Sequence, residues 1–152
     1  MEMQIKELEV AFGSHKSYSV FVDNNEIETL VTHDHAMVRK WVNSTENSNR
    51  CRLNRLILIT IYVKMLFNDH GLRVMNTGDI PSWAVDELGM ETLRGAGLKT
   101  LVKCILGKDM QKPKTIAMSE WDKLELEQDQ VAYAWLDAYF SFEIGRQLSA
   151  WY

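Results

Sequence analysis

Tyr133 and Asp137 stand four residues apart in a stretch of helical pattern, so a helix there stacks a phenol and a carboxylate one turn apart on one face. A carboxylate in that position can hold a hard divalent cation, and a phenol beside it can orient a water molecule. An ordinary helix offers the plainer alternative, with Asp137 capping or ion-paired and Tyr133 packed. His33 and His35 form a second pair with ligand chemistry. A structural zinc site takes four ligands and nothing else at ligand spacing accompanies them, so surface or capping roles are expected. The Ser, His and Asp residues form no recognisable hydrolase arrangement. Arg94, Lys99, Lys103, Lys108, Lys112 and Lys114 make residues 94–114 locally basic. Of these, Lys99, Lys108, Lys112 and Lys114 are the candidates for contact with the phosphates of a nucleic-acid strand. The alternative is the solvated face of an amphipathic helix and its loop, favoured because Lys99 and Lys103 fall opposite the apolar stripe. Trp121 and Trp135 could stack a base, although core packing is the commoner role.

The elements that must carry these residues follow from pattern. Residues 17–22 and 27–31 alternate as two strands, and Asp23 to Glu26 between them reads as a hairpin turn. Thr32 is an N-cap for a short helix ending near Val42, with Val38, Trp41 and Val42 on one face. Residues 43–52 are polar and read as a loop or linker. Residues 57–61 are a buried-strand candidate, Val63, Leu66 and Phe67 mark a helix stopping at Gly71, and residues 72–79 hold an extended stretch. Pro81 opens a helix that Gly89 ends, and Leu98, Leu101, Val102 and Ile105 define another closed by Gly107. The last helix starts near Glu127, with acidic residues in its first turn, and runs to about Ala150. Its apolar residues occupy most of the circumference, so it should be buried on more than one side. Strands alternating with helices imply an α/β fold.

Composition narrows the class. A chain of 152 residues with 46% hydrophobic and 25% charged residues is expected to form one domain with a core. The net charge of −4 argues against bulk electrostatic binding of nucleic acid, but leaves room for a local groove around a strand end. Cys51 and Cys104 show no ligand spacing and fit reduced thiols in a reducing compartment. The polar start has neither signal-peptide nor transit-peptide character, and the longest apolar run, residues 56–63, is too short to span a bilayer. A nuclear or cytoplasmic location without membrane attachment is the expectation.

The strings around these residues resemble a known family. Residues 131–148 resemble the third exonuclease motif of the DEDD superfamily of 3′–5′ exonucleases, in the branch whose last motif carries Tyr. Asn68-Asp-His-Gly-Leu-Arg-Val74, Leu93-Arg-Gly-Ala-Gly-Leu-Lys-Thr-Leu101, Leu106-Gly-Lys-Asp109, Lys112-Pro-Lys114 and Met118-Ser-Glu-Trp121-Asp122 follow in the order seen in plant Werner-syndrome-like exonucleases. Leu8-Glu-Val10, Ser14-His-Lys16, Val31-Thr32 and Met37-Val38 to Trp41 resemble the lead-in of those proteins. The resemblance implies a ribonuclease-H-like fold, nucleic-acid 3′ ends as substrate, Mg²⁺ or Mn²⁺ as cofactor, and Tyr133 and Asp137 as catalytic remnant, with Asp137 at a metal position. It also divides residues 1–152, one incomplete exonuclease domain, into a lead-in hairpin, helix and linker over 1–52 and a remnant core over 53–152.

What is missing decides the expected activity. The family hydrolyses a terminal phosphodiester with two metal ions held by four carboxylates. No Asp-x-Glu occurs in the chain to supply the first motif. Asp86 and Glu87 are adjacent, and adjacent residues diverge by about 100° on a helix. The second-motif Asp falls on Tyr62, and Asp69 matches a non-catalytic family position. Residues 55–61 join the lead-in directly to the next helix, as though sheet strands had been deleted. A lone Asp leaves Mg²⁺ mostly hydrated and unfixed. The expectation is a truncated fold with part of its central sheet missing and a silent exonuclease, a pseudoenzyme. The alternatives are a non-catalytic nucleic-acid or protein-binding module, a degenerate gene product, or an enzyme completed by another chain. Lost strands should leave Val131, Trp135, Phe142 and Leu148 partly uncovered and favour self-association.

Overall fold

A computed structural model describes residues 3–8, 15–22, 25–32, 34, 36–40, 71, 78–123 and 125–149. Three antiparallel strands come first: β1 (Met3–Leu8), β2 (His15–Val22) and β3 (Asn25–Thr32), in the spatial order β1-β2-β3. In β2 the side chains alternate, with Tyr18, Val20 and Val22 buried and Phe21 exposed. The register sets Ile5 and Ile27 on either side of Val20, so one face of the sheet becomes apolar across all three strands. On the other face the Ser19 hydroxyl donates to Glu26 Oε1 at 2.6 Å.

The hairpin is tighter than its sequence suggests. Val22 pairs with Asn25 and Phe21 with Glu26, so Asn25 and Glu26 belong to β3 and not to the turn. Strand β1 has no counterpart in the sequence reading. Among its described side chains, Ile5 packs from it into the core, and its stability comes from pairing with β2, which no local pattern announces. Beyond β3, residues 36–40 are helical. The cap of that helix is Asp34 and not Thr32: Asp34 Oδ1 accepts from the Ala36 N–H, and its carbonyl accepts from the Val38 N–H. Thr32 Oγ1 instead accepts from the Asp34 N–H. The loop over 43–52, the strand over 57–61, the helix at 63–67 and the extended stretch at 72–77 lie outside the described residues.

Helix α1 (Ile80–Leu88) begins where Asp79 accepts from the Ser82 N–H, carries Pro81 in its first turn, and ends at Gly89, whose φ of 65° is left-handed. A 3₁₀ turn, η1 (Glu91–Leu93), buries Leu93, and α2 (Leu98–Leu106) stops at Gly107, φ 65°. One turn, α3 (Lys114–Ala117), precedes α4 (Gln128–Ser149). The bounds of α1, α2 and α4 agree with the sequence reading to within a residue or two.

Two layers meet on α4. Phe140, Ile144 and Leu148, four residues apart, pack with Ile80, Val85, Leu93, Leu101, Val102 and Met110 of the helical layer. Val131 and Trp135 pack on Tyr18, Val20 and Val22 of the sheet. Leu136 and Tyr139 touch both clusters. The apolar circumference of α4 thus has two partners. The expectation of uncovered side chains is corrected for Val131, Trp135 and Leu148, which are 2%, 6% and 1% exposed. The three-stranded sheet covers the first two and the helical layer the third. Phe142 does remain 48% exposed, beside an apolar cavity of about 650 Å³ between α4 and β3.

Candidate functional site

Helix α4 holds Tyr133 and Asp137 in place by anchoring on both sides of them. At its start Gln130 is buried: its Oε1 accepts from the Glu127 N–H at 2.9 Å, and its Nε2 donates to Ser119 Oγ at 2.9 Å and to the Glu120 carbonyl at 2.8 Å. That arrangement ties the residues before α4 to its first turn, in the manner of a capping box. Further along, the Ser141 hydroxyl donates to the Asp137 carbonyl at 2.7 Å.

Lys112 reaches this face from the segment after α2. Met110, 1% exposed, plants that segment in the helical core, and Lys112 follows two residues later. Its Nζ stands 2.9 Å from Asp137 Oδ1 and 5.1 Å from the centroid of the Tyr133 ring. Asp137 Oδ1 is buried and takes no aligned hydrogen bond, so the contact is an ion pair whose direction departs from that of a hydrogen bond. Burial pulls the Lys112 ammonium toward neutrality, but the Asp137 carboxylate, joined by Tyr133, outweighs it and leaves the lysine pKa raised. Across Tyr133 lies Trp121, its ring centroid 5.8 Å away and tilted 60°. The Trp121 indole N–H donates to the carbonyls of Ile116 and Ala117, which holds the ring at the end of α3 while it stays 37% exposed.

The structure brings together Tyr133, Asp137, Lys112 and Trp121, and disperses the rest. Lys99 is exposed on α2, Lys114 is exposed at the start of α3, and Lys108 is half-buried between them. Of the four lysines expected to face phosphates, Lys112 turns onto Asp137 instead. The charge of the basic stretch is also offset locally, by Glu91 on Arg94 at 2.8 Å and Asp109 on Lys103 at 2.9 Å. Trp135 packs in the core, stacked on Tyr139 at 4.8 Å. Glu87, on α1, accepts from the Trp83 indole N–H at 3.3 Å. Cys104 is an exposed free thiol. His33, His35, Cys51, Tyr62 and Asp69 lie outside the described residues. Sequence reasoning missed Gln130, although a Gln three residues after Glu127 is the spacing of a capping box.

The described residues do not fit a pair of divalent ions. Among them no three His, Cys, Asp or Glu side chains converge. The buried oxygen of Asp137 already faces a cation. Two unit charges 4 Å apart repel by about 4 kcal/mol at an effective dielectric near 20, so a dication on that oxygen would meet roughly twice as much from Lys112.

With this geometry in view, the family is defined: the 3′–5′ exonuclease family pattern matches residues 63–150, more than half of the chain, and the chain belongs to that family. Membership, with the strands and helices described above, bears out the α/β exonuclease fold class. The match contains Tyr133, Asp137 and Lys112 and begins one residue after Tyr62. A 3′–5′ exonuclease of Arabidopsis thaliana is 29% identical over 83 residues, which are 55% of this chain and 28% of that protein. The chain therefore matches little more than a quarter of that relative's length. The crystal structure of the EXD2 exonuclease domain soaked in Mn is 19% identical, with 96% of this chain and 75% of that chain covered at a TM-score of 0.33. The same domain soaked in Mn and Mg gives 20%, 98%, 77% and 0.34. Superpositions this loose do not extend the family assignment. No described helix is long and apolar enough to cross a membrane.

Proposed function

We propose that this chain is a shortened, Werner-syndrome-like member of the 3′–5′ exonuclease family that does not hydrolyse phosphodiesters on its own. In this reading residues 1–52 are its lead-in, residues 53–152 its remnant core, and Tyr133 and Asp137 its third motif. The observation that carries the proposal is the isolation of Asp137. No Asp-x-Glu exists in the sequence, Tyr62 stands at the second-motif position, and the described residues gather no cluster of three metal-ligating side chains that could include it. Two metal ions about 4 Å apart need several negative ligands to offset their repulsion. The family acts on nucleic acid, and the role left to a silent copy is to hold a strand. Lys99, Lys108 and Lys114 would contact phosphates, and the exposed Trp121 would meet a base.

End-labelled single strands and recessed-end duplexes, incubated with the pure chain in Mg²⁺ or Mn²⁺, should keep their length. Shortening from the 3′ end that disappears in Asp137→Ala overturns the proposal. Retention of the same strands on the protein, weakened by Lys114→Glu, would support the holding role.

A further inference from the structure

We propose that Lys112 is the built-in counter-cation of Asp137 and closes this carboxylate to divalent metal. The inference deepens the reading of a silent third motif and rests on it. It turns on the placement of one ammonium group. Lys112 and Asp137 come from different elements, and their side chains are 26% and 28% exposed. The pairs Glu91–Arg94, Lys103–Asp109 and Glu143–Arg146 each leave a partner more than half exposed. Exposed pairs of that kind hold no fixed geometry and contribute little. Lys112 is held from three directions: by buried Met110 behind it, by the Tyr133 ring at 5.1 Å and by Asp137 at 2.9 Å. A cation over an aromatic face and beside a carboxylate is doubly favoured.

The acceptor side is equally specific. Among the described residues, Asp137 Oδ1 is shielded from water and takes no aligned hydrogen bond, and the ammonium of Lys112 is the cation that faces it. A divalent ion would have to share this oxygen with Lys112 at close range, or displace a lysine that Met110 keeps near. A monovalent, tethered ammonium therefore does here what a metal ion does where several carboxylates converge. The consequence is a testable exchange: remove the tethered charge, keep the carboxylate, and the site should admit Mn²⁺.

Amide spectra of the full chain, titrated with Mn²⁺ in the absence of nucleic acid, read this directly through paramagnetic broadening. In the unaltered protein the amides of residues 136–138 should broaden no earlier than other surface amides. Lys112→Gln should lower the Mn²⁺ concentration that halves those peaks by at least about tenfold, because the partial exposure of the pair screens much of the repulsion. Lys112→Gln with Asp137→Asn should lose the effect, and Lys112→Arg should behave as the unaltered chain. Selective broadening at 136–138 in the unaltered chain overturns the inference without requiring any variant to fold. So does a folded Lys112→Gln that gains no broadening. Neither result depends on strand cleavage, so the failure of this inference is distinguishable from the failure of the proposed function.

Discussion

Replacing Trp135 by Ala tests whether the three-stranded sheet covers α4. Trp135 is 6% exposed, packs against Tyr18, Val20 and Val22, and stacks on Tyr139 at 4.8 Å with the rings 12° from parallel. Truncating a buried aromatic of this size costs about 3–5 kcal/mol, and loss of a stacked pair adds about 0.5–1.5 kcal/mol. Tyr139 can relax toward the gap, so about 3–4 kcal/mol is the expected loss. Phe142 lies two turns further along α4 and is 48% exposed. Phe142→Ala gives up only part of the roughly 1.5–3 kcal/mol of a fully buried side chain, about 1 kcal/mol. Urea unfolding followed by far-ultraviolet circular dichroism measures both, provided that the m value is unchanged. A domain of typical stability, about 5–15 kcal/mol, should survive Trp135→Ala, and Trp135→Leu is the milder replacement if it does not. Equal losses for Trp135→Ala and Phe142→Ala, or a loss under about 1 kcal/mol for the first, would refute the sheet-covered helix.

Stability should fall in the alkaline range. Burial, reinforced by Glu7, raises the Tyr18 phenol above its ordinary 10.0, and Lys112 lies above its ordinary 10.5 despite burial because of Asp137 and Tyr133. Groups with raised folded-state values contribute fully below the unfolded values and lose that contribution as pH rises through the folded ones. The urea midpoint should therefore begin to fall near pH 10, and Tyr18→Phe should blunt the fall; an unaltered profile in that variant would reject the phenol as a cause. Gln130→Ala removes three hydrogen bonds at a buried position and should cost about 1–3 kcal/mol by the same unfolding assay; a loss within about 0.5 kcal/mol would mean that water replaces them freely. Tyr62→Asp alone should not restore strand shortening, because the first-motif Asp and Glu remain absent; measurable cleavage by that variant would place the first motif elsewhere.

The helices were legible where their ends were. Pro81, Gly89 and Gly107 impose their backbone angles locally, so α1 and α2 could be bounded without tertiary information. Strand β1 could not, since its inward face offers Ile5 and its existence depends on β2. The pairing of Tyr133 with Asp137 was visible from spacing and its surrounding string. The partner of Asp137 was not: Lys112 is 25 residues away in sequence, and the burial of Met110 just before it brings it to α4. Its positive charge could be counted but not directed. The offset of Arg94 by Glu91 was accessible, because three residues along a helical turn is contact distance.

Leu136 and Tyr139 serve both apolar clusters, and Asp137 sits directly after the first of them. The helix is thus clamped between two layers, and its rotation about its own axis is a compromise that neither layer sets alone. Loosening the sheet would let α4 roll toward the helical layer, and a roll of even part of one residue's 100° would carry the carboxylate of Asp137 away from an ammonium fixed by Met110. The spacing between Lys112 and Asp137 is therefore a gauge of the whole assembly. Slow hydrogen exchange in β2 and in α2 should be lost in a single opening event, and the ion pair should part with it.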